Sequence, residues 1–161
     1  MPASTFDSRA FRNALGRFAT GVAIVTAIDP DGHPVGLTIN SFSAVSLDPA
    51  LVLWCLDNRS HNLAAFSRAS HHAINILGAE QEELSNRFAT WPADRFAGLE
   101  WHPGAGGAPV LPGCCAVFEV ANDTAHLAGD HTVFIGRVEQ FSENTKAAPL
   151  LFHAGRYARL A

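Results

Sequence analysis

Gly36-Leu-Thr-Ile-Asn-Ser-Phe-Ser-Ala-Val-Ser-Leu-Asp-Pro49 is the stretch whose reading decides the fold. Alternation of side chains along a strand puts Thr38 and Asn40 on one face. Leu37, Ile39 and Ser41 take the other. Before this stretch, Asp29-Pro-Asp-Gly-His-Pro34 is a strong turn signal. The β-branched run Gly21-Val-Ala-Ile-Val-Thr-Ala-Ile28 precedes that turn. Together the two runs predict a hairpin with a longer loop, its return strand spanning Val35 to Ser43. Asp48-Pro49 turns the chain again, and Leu51 to Leu56 predicts an apolar strand covered on both faces.

Further outward the pattern stays mainly β. Strands are predicted at His72 to Leu77, Cys115 to Asn122, Thr124 to Ala128, His131 to Phe141 and Gly155 to Leu160. Three helices accompany them. Residues 7–18 carry Phe11, Ala14, Leu15 and Phe18 at helical spacing, which predicts one amphipathic face. Ser60 to Arg68 predicts a short helix capped by Ser60, with Leu63, Ala64 and Phe66 inward. Glu80 to Phe88 places acidic residues in a first helical turn, where the dipole favours them. Residues 90–109 read as an ordered loop. The class is an antiparallel barrel or sandwich with helices packed outside, in one domain over residues 1–161.

Composition excludes several functions. Of 161 residues, 48% are hydrophobic and 16% charged, and the net charge is −4. The 11 basic residues form no stripe, which argues against nucleic acid. No apolar run reaches membrane length, and the first residues lack the basic and apolar regions of a signal peptide. The expectation is a cytoplasmic protein. Cys55, Cys114 and Cys115 suit neither a disulfide framework nor a zinc site. No GxGxxG or Walker loop occurs. So little charge suggests that a second subunit covers part of the apolar surface.

Four features could carry chemistry. Thr38, Asn40 and Ser41 offer hydrogen-bonding groups to a flat heteroaromatic edge; the plain alternative is a polar outer strand face. Asp57-Asn-Arg-Ser-His-Asn62 opens a helix whose free N–H groups could hold phosphate, or where Ser60 simply caps. Gly129-Asp-His131 sets a histidine between two strands, where Asp130 could orient it or only shape the turn. Gly155-Arg-Tyr157 offers an arginine suited to phosphate or carboxamide, or a surface Arg beside a packed Tyr.

In their order and spacing these segments resemble the short-chain flavin reductases, the reductase components of two-component flavin monooxygenases. The resemblance runs from Phe11 to Tyr157. It is carried by Phe18-Ala-Thr-Gly-Val-Ala-Ile-Val-Thr26, by Pro34 to Pro49, by Phe88-Ala with Asp94-Arg-Phe96, by Gly129-Asp-His131 with Gly136-Arg-Val138, and by Gly155-Arg-Tyr157. It implies an FMN-binding split β-barrel, antiparallel and Greek-key-like, that forms a homodimer with flavin near the subunit seam. By analogy, Thr38, Asn40 and Ser41 contact the isoalloxazine and ribityl chain. Cys55, Leu56 and Asp57 supply backbone contacts, with Cys55 a wall rather than a redox thiol. Ser60 and Asn62 hold the phosphate, assisted by Arg95. His131, Arg156 and Tyr157 lie toward the nicotinamide, with His131 the catalytic candidate. His61 stands where many relatives carry Arg.

The implied activity is hydride transfer from NADH or NADPH to FMN or FAD, with reduced flavin passing to a separate monooxygenase. No metal is implied. The length leaves no room for an oxygenase domain. The same barrel also serves pyridoxine-phosphate oxidases, cobalamin reductases and non-enzymatic flavin or haem binders, and these remain alternatives at this point.

Overall fold

The computed structural model describes residues 6–90 and 93–161. Among the described residues, twelve strands and three α-helices follow one another. The first part holds α1 (Ser8–Leu15), β1 (Thr20–Gly21), β2 (Ala23–Ile28), β3 (Pro34–Ile39), β4 (Ser43–Leu47) and β5 (Ala50–Asp57). Then come α2 (Leu63–Arg68), β6 (His71–Ile76), α3 (Glu82–Ala89), β7 (His102–Pro103) and β8 (Pro109–Val110). The last part holds β9 (Ala116–Ala128), β10 (His131–Glu143), β11 (Leu151–His153) and β12 (Arg156–Ala158).

Seven strands form one antiparallel sheet in the order β3-β2-β6-β9-β10-β5-β4. Its two edge strands, β3 and β4, are neighbours in sequence, joined only by Asn40, Ser41 and Phe42. So short a link forces the sheet to curl on itself. Inward side chains from nearly every strand then meet in one cluster: Val25, Ile39, Trp54, Ile74, Val120 and Phe134. That is a barrel split along the β3–β4 seam, and the mainly β prediction holds. A second apolar cluster lies on the outer side, where α3 contributes Phe88 and the following segment contributes Phe96 and Leu111.

The hairpin of β2 and β3 pairs as its turn predicts, with Ile28 opposite Pro34. Its loop is closed by Asp29, whose carboxylate accepts from the backbone N–H groups of Asp31 and His33. Several boundaries differ from the sequence reading. The predicted return strand stops at Ile39, and a separate strand, β4, begins at Ser43. The break is held by Ser41, whose hydroxyl accepts from the Cys55 N–H at 2.9 Å and donates to the Cys55 carbonyl at 3.1 Å. β5 is covered fully on one face only: Val52, Trp54 and Leu56 are buried while Leu51, Leu53 and Cys55 are half-buried. The two strands predicted around Asp123 are one, because a bulge absorbs that residue between the pairs Thr124–Ile135 and Asn122–Gly136.

The helices also shift. α1 runs only from Ser8 to Leu15, with Asp7 as its cap. None of its residues is buried, and Phe11, Leu15 and Phe18 are exposed. The predicted inward face is therefore not buried by this chain, although Phe11 packs edge-on against Phe6. α2 starts at Leu63, and Ser60 instead accepts from the Asn62 N–H within a turn. Phe66 is buried as predicted, whereas Leu63 is half-buried and Ala64 exposed. The loop at 90–109 contains the small β7–β8 pair and a helical turn at Ala105–Gly107. Residues 91 and 92 of that loop lie outside the described residues.

Candidate functional site

β3 fixes the site by its alternation. Leu37 and Ile39 turn into the barrel, so Thr38 and Asn40 project outward toward α3. Thr38 donates its hydroxyl to the Ser85 carbonyl at 2.7 Å. Ser85 is buried, and its own hydroxyl lies 2.7 Å from the Tyr157 hydroxyl. Tyr157 donates its one proton to Asn86 Oδ1 at 3.1 Å, so Ser85 must be the donor to Tyr157. Thr38, Asn40, Ser85 and Tyr157 thus wall one small cleft with Phe152.

Asn40 reaches further. It also lines a largely apolar cleft of about 470 Å³ with Phe18, Ile76 and the stacked pair Phe42 and Phe118. It lines a third, of about 580 Å³, between α1 and the β11–β12 turn. Thr20 borders both larger clefts, and its hydroxyl is buried without a hydrogen-bond partner. Among the described residues it is the one such side-chain atom. The Asn40 amide makes no hydrogen bond among the described residues, although its neighbours Thr38 and Ser41 are both committed.

These features suit a flavin. Its ring system is planar and apolar with polar edges, and ligand clefts of 300–1,000 Å³ with apolar walls are the usual size for such groups. An orphaned buried hydroxyl calls for a partner from a ligand or water.

The remaining sequence-predicted residues fall at two other places. At the β5–β10 corner, Asp57 pairs with His131 across the ladder. The Asp57 carboxylate accepts from the backbone N–H of Arg59 and from its guanidinium, which holds the carboxyl down at about 2. His131 Nδ1 lies 2.7 Å from Asp130 Oδ1, and that contact lowers the Asp130 carboxyl below its usual range. Thr132 donates to Asn58 and so locks the corner. Leu56 turns its side chain into the barrel core, leaving only its backbone toward the corner. Burial pushes the Cys55 thiol up, away from the thiolate a redox role needs.

At the second place, Asn62 and Arg95 line one cleft beside β3. Arg95 donates to the Gly36 carbonyl at 2.7 Å. Burial lowers its guanidinium from the ordinary value. Ser60 is half-buried at the turn before α2, and Arg156 is exposed on β12. The sequence reading groups His131 with Arg156 and Tyr157. Within the chain, no hydrogen bond or ion pair among the described residues joins His131 to either.

Ser85 and Thr20 escaped the sequence reading. A serine in an amphipathic helix and a threonine before a strand carry no signal of their own. The helix predicted over 7–18 also hid Phe18 as a packed residue, whereas it lies beyond α1 on the cleft wall.

The flavin reductase like domain model matches residues 15–161. The chain is 47% identical over 155 residues to the FMN reductase (NADH) SmoA of Agrobacterium fabrum, covering 96% of this chain and 87% of that protein. It is 43% identical over 155 residues to the reductase subunit HsaB of a flavin-dependent monooxygenase from Rhodococcus jostii, covering 96% and 79%. It spans 50% of a probable flavin reductase of Rhizobium meliloti, with 45% identity. Among solved structures, the Streptomyces globisporus NADH:FAD oxidoreductase SgcE6, in complex with NAD and FAD fragments, superposes with a TM-score of 0.91. That match has 34% identity and covers 99% of this chain and 98% of the other.

Proposed function

The chain belongs to the flavin reductase like domain family, and from that premise we propose how its residues serve the reaction of that family. The enzyme is an NAD(P)H:flavin oxidoreductase that supplies reduced flavin to a separate monooxygenase. The flavin accepts a hydride from the reduced nicotinamide and a proton from solvent, giving reduced flavin and oxidised nicotinamide.

The chain's own part is position and electrostatics. Asn40 binds the polar edge of the isoalloxazine, with Phe42 and Phe118 behind the apolar wall. Ser41 holds the Cys55 backbone so that the β3–β4 seam stays open at a fixed width. Thr38, Ser85 and Tyr157 stiffen the far wall, which keeps the two ring systems in register. Arg95 and Asn62 take the flavin phosphate, and Ser60 shapes the turn beside them. His131, oriented by Asp130, faces the seam from the β5–β10 corner. The protein need supply neither a nucleophile nor a general base.

The observation that carries this placement is the exposed Asn40 amide, which bonds to no described residue and borders three clefts. A dimer that completes the site fits the lack of any hydrogen bond or ion pair among the described residues joining His131 to Tyr157 within one protomer. The reading is tested by following nicotinamide oxidation with NADH and NADPH against FMN, FAD and riboflavin, for wild type and Asn40→Ala. Flavin-dependent oxidation that weakens in the variant through a higher flavin KM is expected. Wild-type activity with an unchanged KM in Asn40→Ala would overturn the placement.

A further inference from the structure

Asn58 is half-buried in the turn that leaves β5, and three hydrogen bonds tie it to one short segment. Its backbone N–H donates to the Asp130 carbonyl at 2.9 Å. Its Nδ2 group donates to the Gly129 carbonyl at 3.5 Å. Its Oδ1 accepts from the Thr132 hydroxyl at 2.7 Å. The amide fits only this way round, because the reverse would set Oδ1 against a carbonyl oxygen. One residue therefore grips the chain on both sides of His131.

That grip matters because little else holds the segment. β9 and β10 meet in a two-residue turn, Gly129-Asp130, with Ala128 opposite His131. Gly129 takes a φ of 62°, as so tight a turn requires. Residues 123–130 are exposed, so no core packs against the tip. The ladder to β5 ends at the pair Asp57–His131. Past that pair, every hydrogen bond from the turn to the neighbouring loop, among the described residues, is made by Asn58. The same turn sets the imidazole. His131 Nδ1 lies 2.7 Å from Asp130 Oδ1. A carboxylate only accepts, so Nδ1 carries the proton and neutral His131 presents an Nε2 lone pair. Where the Asp130 carboxylate stands depends on its backbone, and Asn58 holds that backbone. Arg59, the cation of this corner, is folded onto Asp57 and leaves Asp130 to the histidine.

We propose that Asn58 is a positioning residue for hydride transfer: it clamps the Gly129-Asp130 turn so that His131 presents Nε2 to the nicotinamide in one tautomer and one place. The inference rests on the reading that puts His131 on the nicotinamide side. A looser turn would let the imidazole wander, and a misplacement of about 1 Å can cost on the order of a hundredfold in rate. The Asn58 side chain makes no hydrogen bond to the turn of Ser60 and Asn62, whose contacts run through Asp57 and Ser60. Its loss should therefore slow the reaction and spare flavin binding.

The experiment uses the full chain with FMN. Flavin reduction at saturating NADH is followed by stopped-flow absorbance, and FMN affinity by fluorescence quenching, for Asn58→Leu, Thr132→Val, Thr132→Ser and His131→Gln. Thr132→Val removes one hydroxyl at nearly the same shape and keeps strand propensity, so it reports even if Asn58→Leu folds poorly. Both should reduce flavin about tenfold more slowly, with the FMN dissociation constant within about twofold of wild type. Thr132→Ser should keep the wild-type rate. In a His131→Gln background, Asn58→Leu should cost less than about twofold more, because the clamp acts through the histidine. Slowing by the same factor in both backgrounds would overturn the proposal. The His131 imidazole is also read by nitrogen NMR at about pH 8.5, where an ordinary imidazole is neutral. Two well-separated nitrogen shifts are expected in wild type and Thr132→Ser, drawn together in Asn58→Leu and Thr132→Val as the tautomers mix. Unmoved shifts in both variants would also overturn it. If His131→Gln reduces flavin at the wild-type rate, the reading of His131 fails instead, and the nitrogen shifts still decide whether Asn58 positions it.

Discussion

Asn40 and Ser41 are adjacent, polar and of similar size, yet the fold uses them in opposite ways. Ser41 hydrogen-bonds twice to the backbone of Cys55, while the Asn40 amide bonds to nothing among the described residues. Asn40→Ala should therefore leave the melting temperature unchanged and raise the FMN dissociation constant about tenfold, the loss of one good polar contact to the ligand. Ser41→Ala should cost about 1–3 kcal/mol of stability, because it strands a half-buried N–H and C=O in the seam. Denaturant melts and flavin titrations of the two variants check this. Similar stability losses in both would mean that Asn40 is structural. The sequence marks Thr38, Asn40 and Ser41 equally as candidates. It cannot separate them, because their partners sit at Ser85 and Cys55, and only the closed sheet brings those positions near.

The elements show where periodicity suffices and where it fails. The β2–β3 hairpin was legible from alternation and its Asp-Gly turn, since both signals are local. Gly36 within β3 has a tertiary reason instead. A Cβ there would stand 2.9 Å from Phe88 Cε1 and 3.2 Å from Phe96, so α3 and the loop after it press directly on the strand. Gly36→Ala should destabilise by about 1–3 kcal/mol through that overpacking and should widen the Asn62–Arg95 cleft. A calorimetric melt equal to wild type would contradict it. β6 buries His72 against Trp54, Phe66 and Phe134, none of them charged. The Trp54 indole donates to His72 Nδ1, so Nε2 carries the proton and donates to the Phe66 carbonyl. Protonation would set two N–H groups against each other, and burial, with the neighbouring His71 adding to it and the Phe66 hydrogen bond opposing, pulls the imidazole down to about 4 from 6.5. The folded state therefore resists a proton that the unfolded chain accepts. Stability is full above pH 6.5 and drains away as pH falls toward 4, by about 3 kcal/mol in all. Melting temperatures across that range should decline for wild type and decline less for His72→Gln. Parallel curves would rule the histidine out.

At the scale of the molecule, the low charge fraction of 16% has a structural counterpart. The chain exposes 9816 Å², against about 7,800 Å² for a compact monomer of this size. The excess, about 2,000 Å², is more than the roughly 800 Å² each partner gives to a standard interface. Leu47 is 96% exposed, Leu127 78% and Phe141 73%, alongside the open face of α1. Composition could signal surplus apolar surface but not its address, because the residue pattern of α1 and β9 reads the same whether a neighbour belongs to one chain or two. We propose a symmetric dimer that buries this surface and places His131 of one protomer's corner near the Asn40 clefts of its partner. Light scattering should give twice the chain mass at micromolar concentration, and the melting temperature should rise with concentration, as binding of folded partners requires. Leu47→Asp, Leu127→Asp and Phe141→Asp combined should yield a monomer with lower flavin reductase activity. On a free monomer surface such changes would each fall within about 0.5 kcal/mol. A wild-type protein that scatters as a monomer, or a triple variant with unchanged mass and melting, would break the link between exposed surface and dimer.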